Sequence, residues 1–192
     1  MVATGTGFGT ARVHDVYSIA DRLKLINGQV FVSLRDPETR ALALELVRGT
    51  PQHGDQSELE ELKRVFYFVK NNVEYRQDPH QYDLYATTKR TLQAGAGDCD
   101  DHTVVVCSLI ANLGYIPGAK IVSADNANWH IYAATCVFPR HNPDAPTARY
   151  FALDTTQTPS YPGWEPPRPF HRYSKMVTFT ERGPMIRELS NG

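Results

Sequence analysis

The sequence predicts a mixed fold of the α+β class, with most helices in the first half of the chain and most strands in the second. Two observations predict it. Before residue 114, apolar residues recur at helical spacing between signals that start and stop helices. After residue 117, three runs are rich in β-branched and aromatic residues and are separated by turn signals. Helices kept apart from an antiparallel sheet are typical of this class.

Length and charge limit the kinds of protein that this chain can be. Its 192 residues allow a real core, and we expect a single domain over residues 1–192 with its core at about 57–157. With 20 Lys and Arg residues against 21 Asp and Glu, and no basic cluster, we expect no nucleic-acid partner. No apolar stretch reaches the ~18 residues of a membrane span, and no signal-peptide pattern opens the chain. We therefore expect no membrane partner and a location in the cytoplasm or in a phage particle.

The first 50 residues predict an arm, a strand and a helix. The Gly- and Thr-rich start over residues 1–15 has no periodicity and is expected to be a flexible arm. The stretch Val-Phe-Val-Ser-Leu-Arg-Asp at 30–36 predicts a short strand. Asp36 followed by Pro37 is typical of an N-cap and a first helical residue, and Gly49 marks the end of that helix.

A second helix is indicated by Ser57 and Glu60, which form a capping-box pattern. The apolar residues that follow at helical spacing are Leu59, Leu62, Phe66, Val69 and Val73. Such a stripe is typical of a helix face packed in a core. The tyrosine-rich segment 71–88 has turn chemistry around Asp78 and Pro79, so we expect a strand end and a long loop there.

A third helix is predicted over residues 99–113, where a near-continuous apolar run is stopped by Gly114 and Pro117. Because the run is apolar on all sides, we expect this helix to be buried. Strand-like runs follow at 118–124, 128–138 and 149–156, with a candidate fourth at 176–180. The proline-rich segment 157–172 does not suit a sheet interior and is expected to be a surface strap.

Cys99 combines a reactive side chain with the start of a helix. A helix N-terminus offers partial positive charge and unpaired N–H groups, which stabilise a thiolate and a developing oxyanion. A nucleophile also needs a base that a third group orients, and adjacent antiparallel strands can place His130 beside Asp154. Each residue alone also fits an ordinary role, as an inert core thiol, a buried imidazole or a turn former. Together they are candidates for a catalytic set.

The motifs around these three residues resemble the transglutaminase-like superfamily. They are Gly-Asp-Cys-Asp-Asp at the start of an apolar helix, Trp-His on a following strand and Leu-Asp-Thr-Thr on the next. The order Cys, His, Asp agrees, as do the spacings of 31 and 24 residues, and the resemblance covers about residues 60–157. It implies a papain-like fold in which the helix carrying Cys99 packs on an antiparallel sheet carrying His130 and Asp154.

The resemblance also implies a reaction. By position, Cys99 is the nucleophile that attacks an amide carbonyl and forms a thioester, His130 is the general base and later acid, and Asp154 orients the imidazole. We therefore expect a cysteine-dependent hydrolase or acyltransferase whose partner is a peptide or protein substrate. Hydrolysis is favoured because no feature of the sequence selects an amine acceptor.

A second interpretation is a structural or assembly component, for example of a phage particle, that uses the fold as a binding module. The Gly-rich arm and the proline-rich strap would then contact protein assembly partners. The complete set of Cys99, His130 and Asp154 favours chemistry over this interpretation, since a scaffold has no need of all three.

Groups beside the catalytic set are expected to complete a cleft. The backbone N–H of Cys99 is one expected oxyanion donor, and a side chain supplies the second, with Gln77 preferred over Gln93 and Tyr82. The aromatic residues expected to wall the cleft are Trp129, Tyr82, Tyr85 and Trp164.

Asp98 is expected to cap the helix and, with Trp129, to flank the catalytic set. Asp100 and Asp101 are expected to face away or to meet partners. The candidate partners are His102 and Arg90. We expect no metal and no cofactor, because no second Cys or His lies at zinc spacing and the motif lacks the glycine and distal Glu of a calcium loop.

Overall fold

The computed structural model describes residues 9–12, 18–50, 55–79, 82–138 and 149–188, with the side chains of 9–12, 82 and 188 left out. The helices are α1 (Ile19–Leu34), α2 (Pro37–Leu46), α3 (Asp55–Asn72), α4 (Thr88–Ala94) and α5 (Cys99–Asn112), with a 3₁₀ turn at Arg168–His171. The strands are β1 (Gly9–Arg12), β2 (Glu74–Tyr75), β3 (Tyr82–Tyr85), β4 (Ala96–Gly97), β5 (Gly118–Ser123), β6 (His130–Val137), β7 (Arg149–Leu153), β8 (Tyr173–Thr178) and β9 (Met185–Glu188). The predicted α+β class is confirmed.

A five-stranded antiparallel sheet has the order β7-β6-β5-β8-β9. Side chains alternate between its two faces, as the period of two in a strand requires. One face carries apolar residues of the main core, among them Ile121, Ile131, Leu153 and Val177. The opposite face carries His130, Tyr132 and Lys120, since these residues are in register across β5 and β6. The four strands predicted after residue 117 are confirmed as β5, β6, β7 and β8, and β9 was not predicted.

Helix α5 lies at the centre of the molecule. Every residue from Asp100 to Ile110 is buried, as the all-round apolar pattern predicts. Helices α1, α2, α3 and α4 pack against it, and the sheet packs on its remaining side. The chain leaves α5 through Gly114 at φ +87°, the left-handed conformation that favours glycine. The element that begins with Cys99 is therefore held from all directions.

The strand predicted at 30–36 is wrong, because these residues form the C-terminal half of α1 and the turn after it. Leu23, Ile26 and Val30 recur at helical spacing and are almost fully buried. Their packing against the core outweighs the β propensity of the β-branched residues. Ser18 caps the helix by accepting a hydrogen bond from the N–H of Asp21.

The N-cap at Asp36 is confirmed, but the capping box at Ser57 is wrong. The carboxylate of Asp36 accepts hydrogen bonds from the N–H and hydroxyl of Thr39 at 3.0 and 2.8 Å. Helix α3 instead begins at Asp55, so Ser57 lies inside its first turn and is buried. Acidic residues at that end of α3 favour the earlier start, because they interact well with the helix dipole.

Two short ladders lie beside the helices. Strand β1 pairs with β3, and the parallel pair β2 and β4 joins Glu74–Tyr75 to Ala96–Gly97 just before Cys99. Residues 9–12 of the predicted arm therefore form a strand, and the rest of the arm lies outside the described residues. The single-domain boundaries stay a prediction.

The proline-rich strap crosses the outer face of the sheet. Between residues 157 and 167 it has no helix or strand. Lys120 Nζ binds both carboxylate oxygens of Glu165 at 3.0 and 2.9 Å, and the N–H of Gly163 donates to the carbonyl of Ala152 at 2.8 Å. These contacts fasten the strap to β5 and to β7. Among the helices that the structure describes, none has the length and apolar character that a membrane crossing needs.

Candidate active site

Cys99 is the first residue of α5, as predicted, and Asp98 is its N-cap. Asp98 Oδ1 accepts hydrogen bonds from the N–H groups of Asp100 and Asp101 at 3.0 and 3.5 Å. The side chain of Cys99 is half-buried, and none of the three cysteines forms a disulfide. The cap fixes the first turn of α5 and thereby the position of the sulfur.

His130 and Asp154 are brought together by strands β6 and β7. Their pairing places His130 Nε2 2.8 Å from Asp154 Oδ2. The other oxygen, Asp154 Oδ1, accepts hydrogen bonds from the N–H and hydroxyl of Thr156 at 3.0 and 2.7 Å. Burial acts to raise the pKa of Asp154, but the hydrogen bonds from His130 and Thr156 outweigh it and leave the pKa below its usual value. Asp154 is therefore suited to stay ionised beside the imidazole.

The start of β6 meets the start of α5. The backbone N–H of Ile131, the residue directly after His130, interacts with the thiol of Cys99 and acts to lower its pKa. Trp129, on the other side of His130, lines the same cleft as Cys99. The flanking role of Trp129 stays a prediction.

The surroundings of Cys99 favour the protonated form of its thiol. Burial raises its pKa well above the usual value, and the charges of Asp98 and Asp100 raise it further. The backbone N–H of Ile131 acts in the opposite direction but does not offset these effects. Nucleophilic attack would therefore need a base that removes the proton as the sulfur reacts.

Three carboxylates gather at the start of α5. Asp98, Asp100 and Asp101 each offer a ligand atom, and these atoms lie within 4.8 Å of one another. Burial raises the pKa of Asp101 to about 7 and that of Asp100 well above its usual value. Among the described residues, Asp100 Oδ1 is buried without a hydrogen-bond partner. These residues have the oxygen ligands that hard cations prefer, so the expected absence of a metal stays a prediction.

The partners of Asp101 and His102 differ from those suggested by the sequence. Asp101 Oδ1 accepts a hydrogen bond from the N–H of Ala86 at 2.9 Å. His102 Nδ1 lies 2.8 Å from the hydroxyl oxygen of Thr155. Both side chains are buried.

A cleft of about 450 Å³ opens in front of Cys99. Helix α1 supplies one wall, which the sequence did not predict. The lining residues are Ile19, Arg22, Leu23, Ile26, Tyr75, Gln77, Asp83, Tyr85, Asp98, Cys99, Asp100, Ile121, Ala127, Trp129 and Ile131. Arg22 and Asp83 form an ion pair in this lining at 2.9 Å. The cleft thus combines an apolar floor with several acidic groups.

The predicted cleft residues are only partly brought together. Gln77 lines the cleft, as does Tyr75, an aromatic residue that was not predicted there. Gln93 instead lines a separate groove beside α2, and Trp164 is absent from the described lining. The side chain of Tyr82 lies outside the described residues. The oxyanion role of Gln77 stays a prediction.

A sequence profile of the transglutaminase-like superfamily matches residues 44–155. No curated protein matches the chain significantly. LapG of Legionella pneumophila matches in structure with a TM-score of 0.50 and 15% identity, over 83% of this chain and 86% of that chain.

Two further solved structures are similar at lower scores. EGTA-treated LapG of Legionella pneumophila has a TM-score of 0.45 and 14% identity, over 86% of this chain and 89% of that chain. A candidate cysteine protease of Cytophaga hutchinsonii has a TM-score of 0.44 and 13% identity, over 96% of this chain and 64% of that chain. At such identities the likeness to LapG shows the fold alone.

Proposed function

The chain belongs to the transglutaminase-like superfamily, and from this premise we propose that it is a cysteine peptidase or amidase acting on a peptide or protein substrate. One observation carries the proposal: a thiol at the N-terminus of a buried helix lines a cleft beside a strand whose His130 is hydrogen-bonded to Asp154 at 2.8 Å. Cys99, His130 and Asp154 are the proposed catalytic residues.

The proposed first step is attack on the substrate carbonyl. His130 removes the proton from Cys99 as the sulfur bonds to the carbonyl carbon, and the carbonyl oxygen takes up the negative charge. The N–H of Cys99 and the side chain of Gln77 are the proposed donors to that oxygen. The buried carboxylate of Asp154 stabilises the imidazolium that forms and keeps its ring oriented.

The second half of the reaction returns the proton. The imidazolium of His130 protonates the leaving amine as the C–N bond breaks, which leaves a thioester on Cys99. Water, deprotonated by the same imidazole, then attacks the thioester and releases a carboxylic acid and the free thiol. Transfer to an amine would follow the same steps with a different acceptor, and no feature of the cleft selects one. No observation on the described residues favours the phage or assembly interpretation.

The test combines hydrolysis with thiol labelling. The purified protein is incubated with a library of fluorogenic peptides, and Cys99→Ala is expected to abolish turnover while leaving the circular dichroism spectrum unchanged. Asp154→Asn is expected to lower kcat roughly 10²–10⁴-fold, because the imidazole loses its orientation and its counter-charge.

Cys136→Ala is the matched control, because it removes a half-buried thiol on the sheet and is expected to leave turnover unchanged. Hydrolysis that survives Cys99→Ala would contradict the proposal. So would the absence of any hydrolysis together with a Cys99 that iodoacetamide labels no faster than Cys136.

A further inference from the structure

A buried hydrogen bond joins the helix that carries Cys99 to the segment that carries Asp154. His102 Nδ1 and Thr155 Oγ1 are 2.8 Å apart, and the two residues are only 2% and 5% exposed. His102 lies one turn after Cys99 on α5, and Thr155 directly follows Asp154. The bond therefore connects two points that are each adjacent to a proposed catalytic residue.

The segment after β7 is held from two sides. Thr156 binds Asp154, and Lys70 of α3 donates from Nζ to the carbonyl of Gln157 and to the hydroxyl of Ser160, both at 2.7 Å. Among the described hydrogen bonds, the one between Thr155 and His102 is the side-chain link between this segment and α5. Without it, only packing and the sheet would fix the position of the Asp154 carboxylate relative to the Cys99 thiol.

The environment of His102 argues against an acid–base role of its own. It is buried, it lies within the central helix α5, and its Nδ1 is 2.8 Å from the hydroxyl oxygen of Thr155. Burial lowers the pKa of His102 to about 4, although the charges of Asp154 and Asp98 oppose this change and that of Lys70 adds to it. A fully buried imidazole that is engaged with Thr155 is suited to hold position and not to exchange protons with a substrate.

We propose that His102 and Thr155 are positioning residues that hold the sulfur of Cys99 in register with the His130–Asp154 pair. The consequence of this inference for catalysis rests on the proposed function. The position of the Cys99 sulfur does not, and it can be tested without any turnover. Small displacements between reacting groups cost large factors in rate, so one hydrogen bond at this place can matter more than its contribution to stability.

The test measures labelling of Cys99 by iodoacetamide, followed by mass spectrometry of the peptide that contains it, at about pH 7. His130→Ala gives the rate without the imidazole. Thr155→Val keeps the side-chain shape and removes the hydroxyl, and is expected to slow labelling roughly tenfold, toward that rate. Thr155→Ser restores the hydroxyl and is expected to label within about twofold of the wild type.

A second pair of variants probes the other end of the bond. His102→Leu is expected to slow labelling as Thr155→Val does, whereas His102→Asn, which places an amide group near the position of Nδ1, is expected to recover most of the rate. Ser108→Ala is the matched control: Ser108 lies further along α5, is buried, and is 2.5 Å from the hydroxyl of Thr88. It is expected to lower Tm without slowing the labelling of Cys99.

The outcomes separate this inference from the proposed function. Equal labelling of the Val and Ser variants at position 155, or slowing in Ser108→Ala as large as in Thr155→Val, would overturn the inference. If His102→Leu does not fold, the pair at position 155 still decides. If labelling follows the expected pattern but the protein hydrolyses no peptide, the positioning role is supported and the proposed peptidase activity is refuted. Where turnover is measurable, Thr155→Val is expected to lower kcat and leave KM within about twofold.

Discussion

Asp98 affects the site in two opposing ways. Its side chain caps α5, which stabilises the helix that carries Cys99. Its negative charge also raises the pKa of Cys99, which makes the thiolate harder to form. The two effects depend on different properties of the side chain, the acceptor oxygen and the charge, so a single substitution can separate them.

Asp98→Asn is expected to speed the labelling of Cys99 at about pH 7 by roughly fivefold, since a nearby charge is worth about 1 kcal/mol. Asn caps helices about as well as Asp, so the free energy of unfolding should change by less than about 0.5 kcal/mol. The measurement is iodoacetamide labelling in EDTA together with urea unfolding. Asp98→Ala is the control that also loses the cap, and should cost about 1 kcal/mol. Slower labelling of Asp98→Asn would contradict this assignment.

At the residue scale, the sequence was most informative where a motif combines chemistry with local structure. Cys99 and its cap follow from the helix-start pattern, and the closeness of His130 to Asp154 follows from antiparallel pairing. The bond between His102 and Thr155 joins residues 53 apart in sequence, and neither side chain has a pattern that indicates the other.

At the element scale, α5 and the sheet meet at Cys107. Its side chain is fully buried, and its Sγ donates to the carbonyl of Gly118 at 3.1 Å. A side chain at Gly118 would collide with the backbone of the neighbouring strands, because a Cβ there would lie 2.7 Å from the carbonyl oxygen of Val177. The sulfur of Cys107 thus fills a place where β5 approaches the helix closely.

Cys107→Ala is expected to lower the free energy of unfolding by about 1–3 kcal/mol, because it leaves a small cavity and an unpaired carbonyl. The labelling rate of Cys99 should stay unchanged, since the substitution lies two turns away. Urea unfolding measures the loss, and Cys136→Ala, at a half-buried position, should lose less. An equal loss of unfolding free energy in both variants would show that the contact between Cys107 and Gly118 adds no stability of its own.

The elements were predicted best where one pattern extends over many residues. The stripe of α3 and the apolar run of α5 have enough length for their periodicity to be clear. The C-terminal half of α1 contains Val30 and Val32, and without its neighbours this segment is typical of a strand. The two-residue strands β2 and β4 exist only because the chain segments beside Cys99 meet, and no pattern that short is specific.

At the scale of the whole molecule, buried ionisable groups make stability depend on pH. Burial raises the pKa of Asp78 to about 6 and that of Asp101 to about 7. Between their unfolded values, about 4, and these values, the folded protein binds more protons than the unfolded chain, so stability falls as pH rises. His102 has the opposite effect between pH values of about 4 and 6.5, because the unfolded chain then binds the extra proton.

Asp101→Asn is expected to weaken the fall of stability between pH values of about 4 and 7, since one of the carboxylates with a raised pKa no longer titrates. The amide oxygen can still accept the hydrogen bond from Ala86, so the fold should be retained. The measurement is urea unfolding in EDTA at several pH values across this window. An unchanged slope would contradict the assignment to Asp101.

Helix α1 lies wholly upstream of the stretch that the superfamily profile recognises, yet it forms a wall of the cleft. A protein truncated to residues 44–155 would lack the buried side chains of Leu23, Ile26 and Val30. Its cleft would be open to solvent on the side that α1 covers. The stretch that the superfamily profile matches and the part of the chain that forms the cleft therefore have different boundaries. In this protein the working unit starts no later than Ser18.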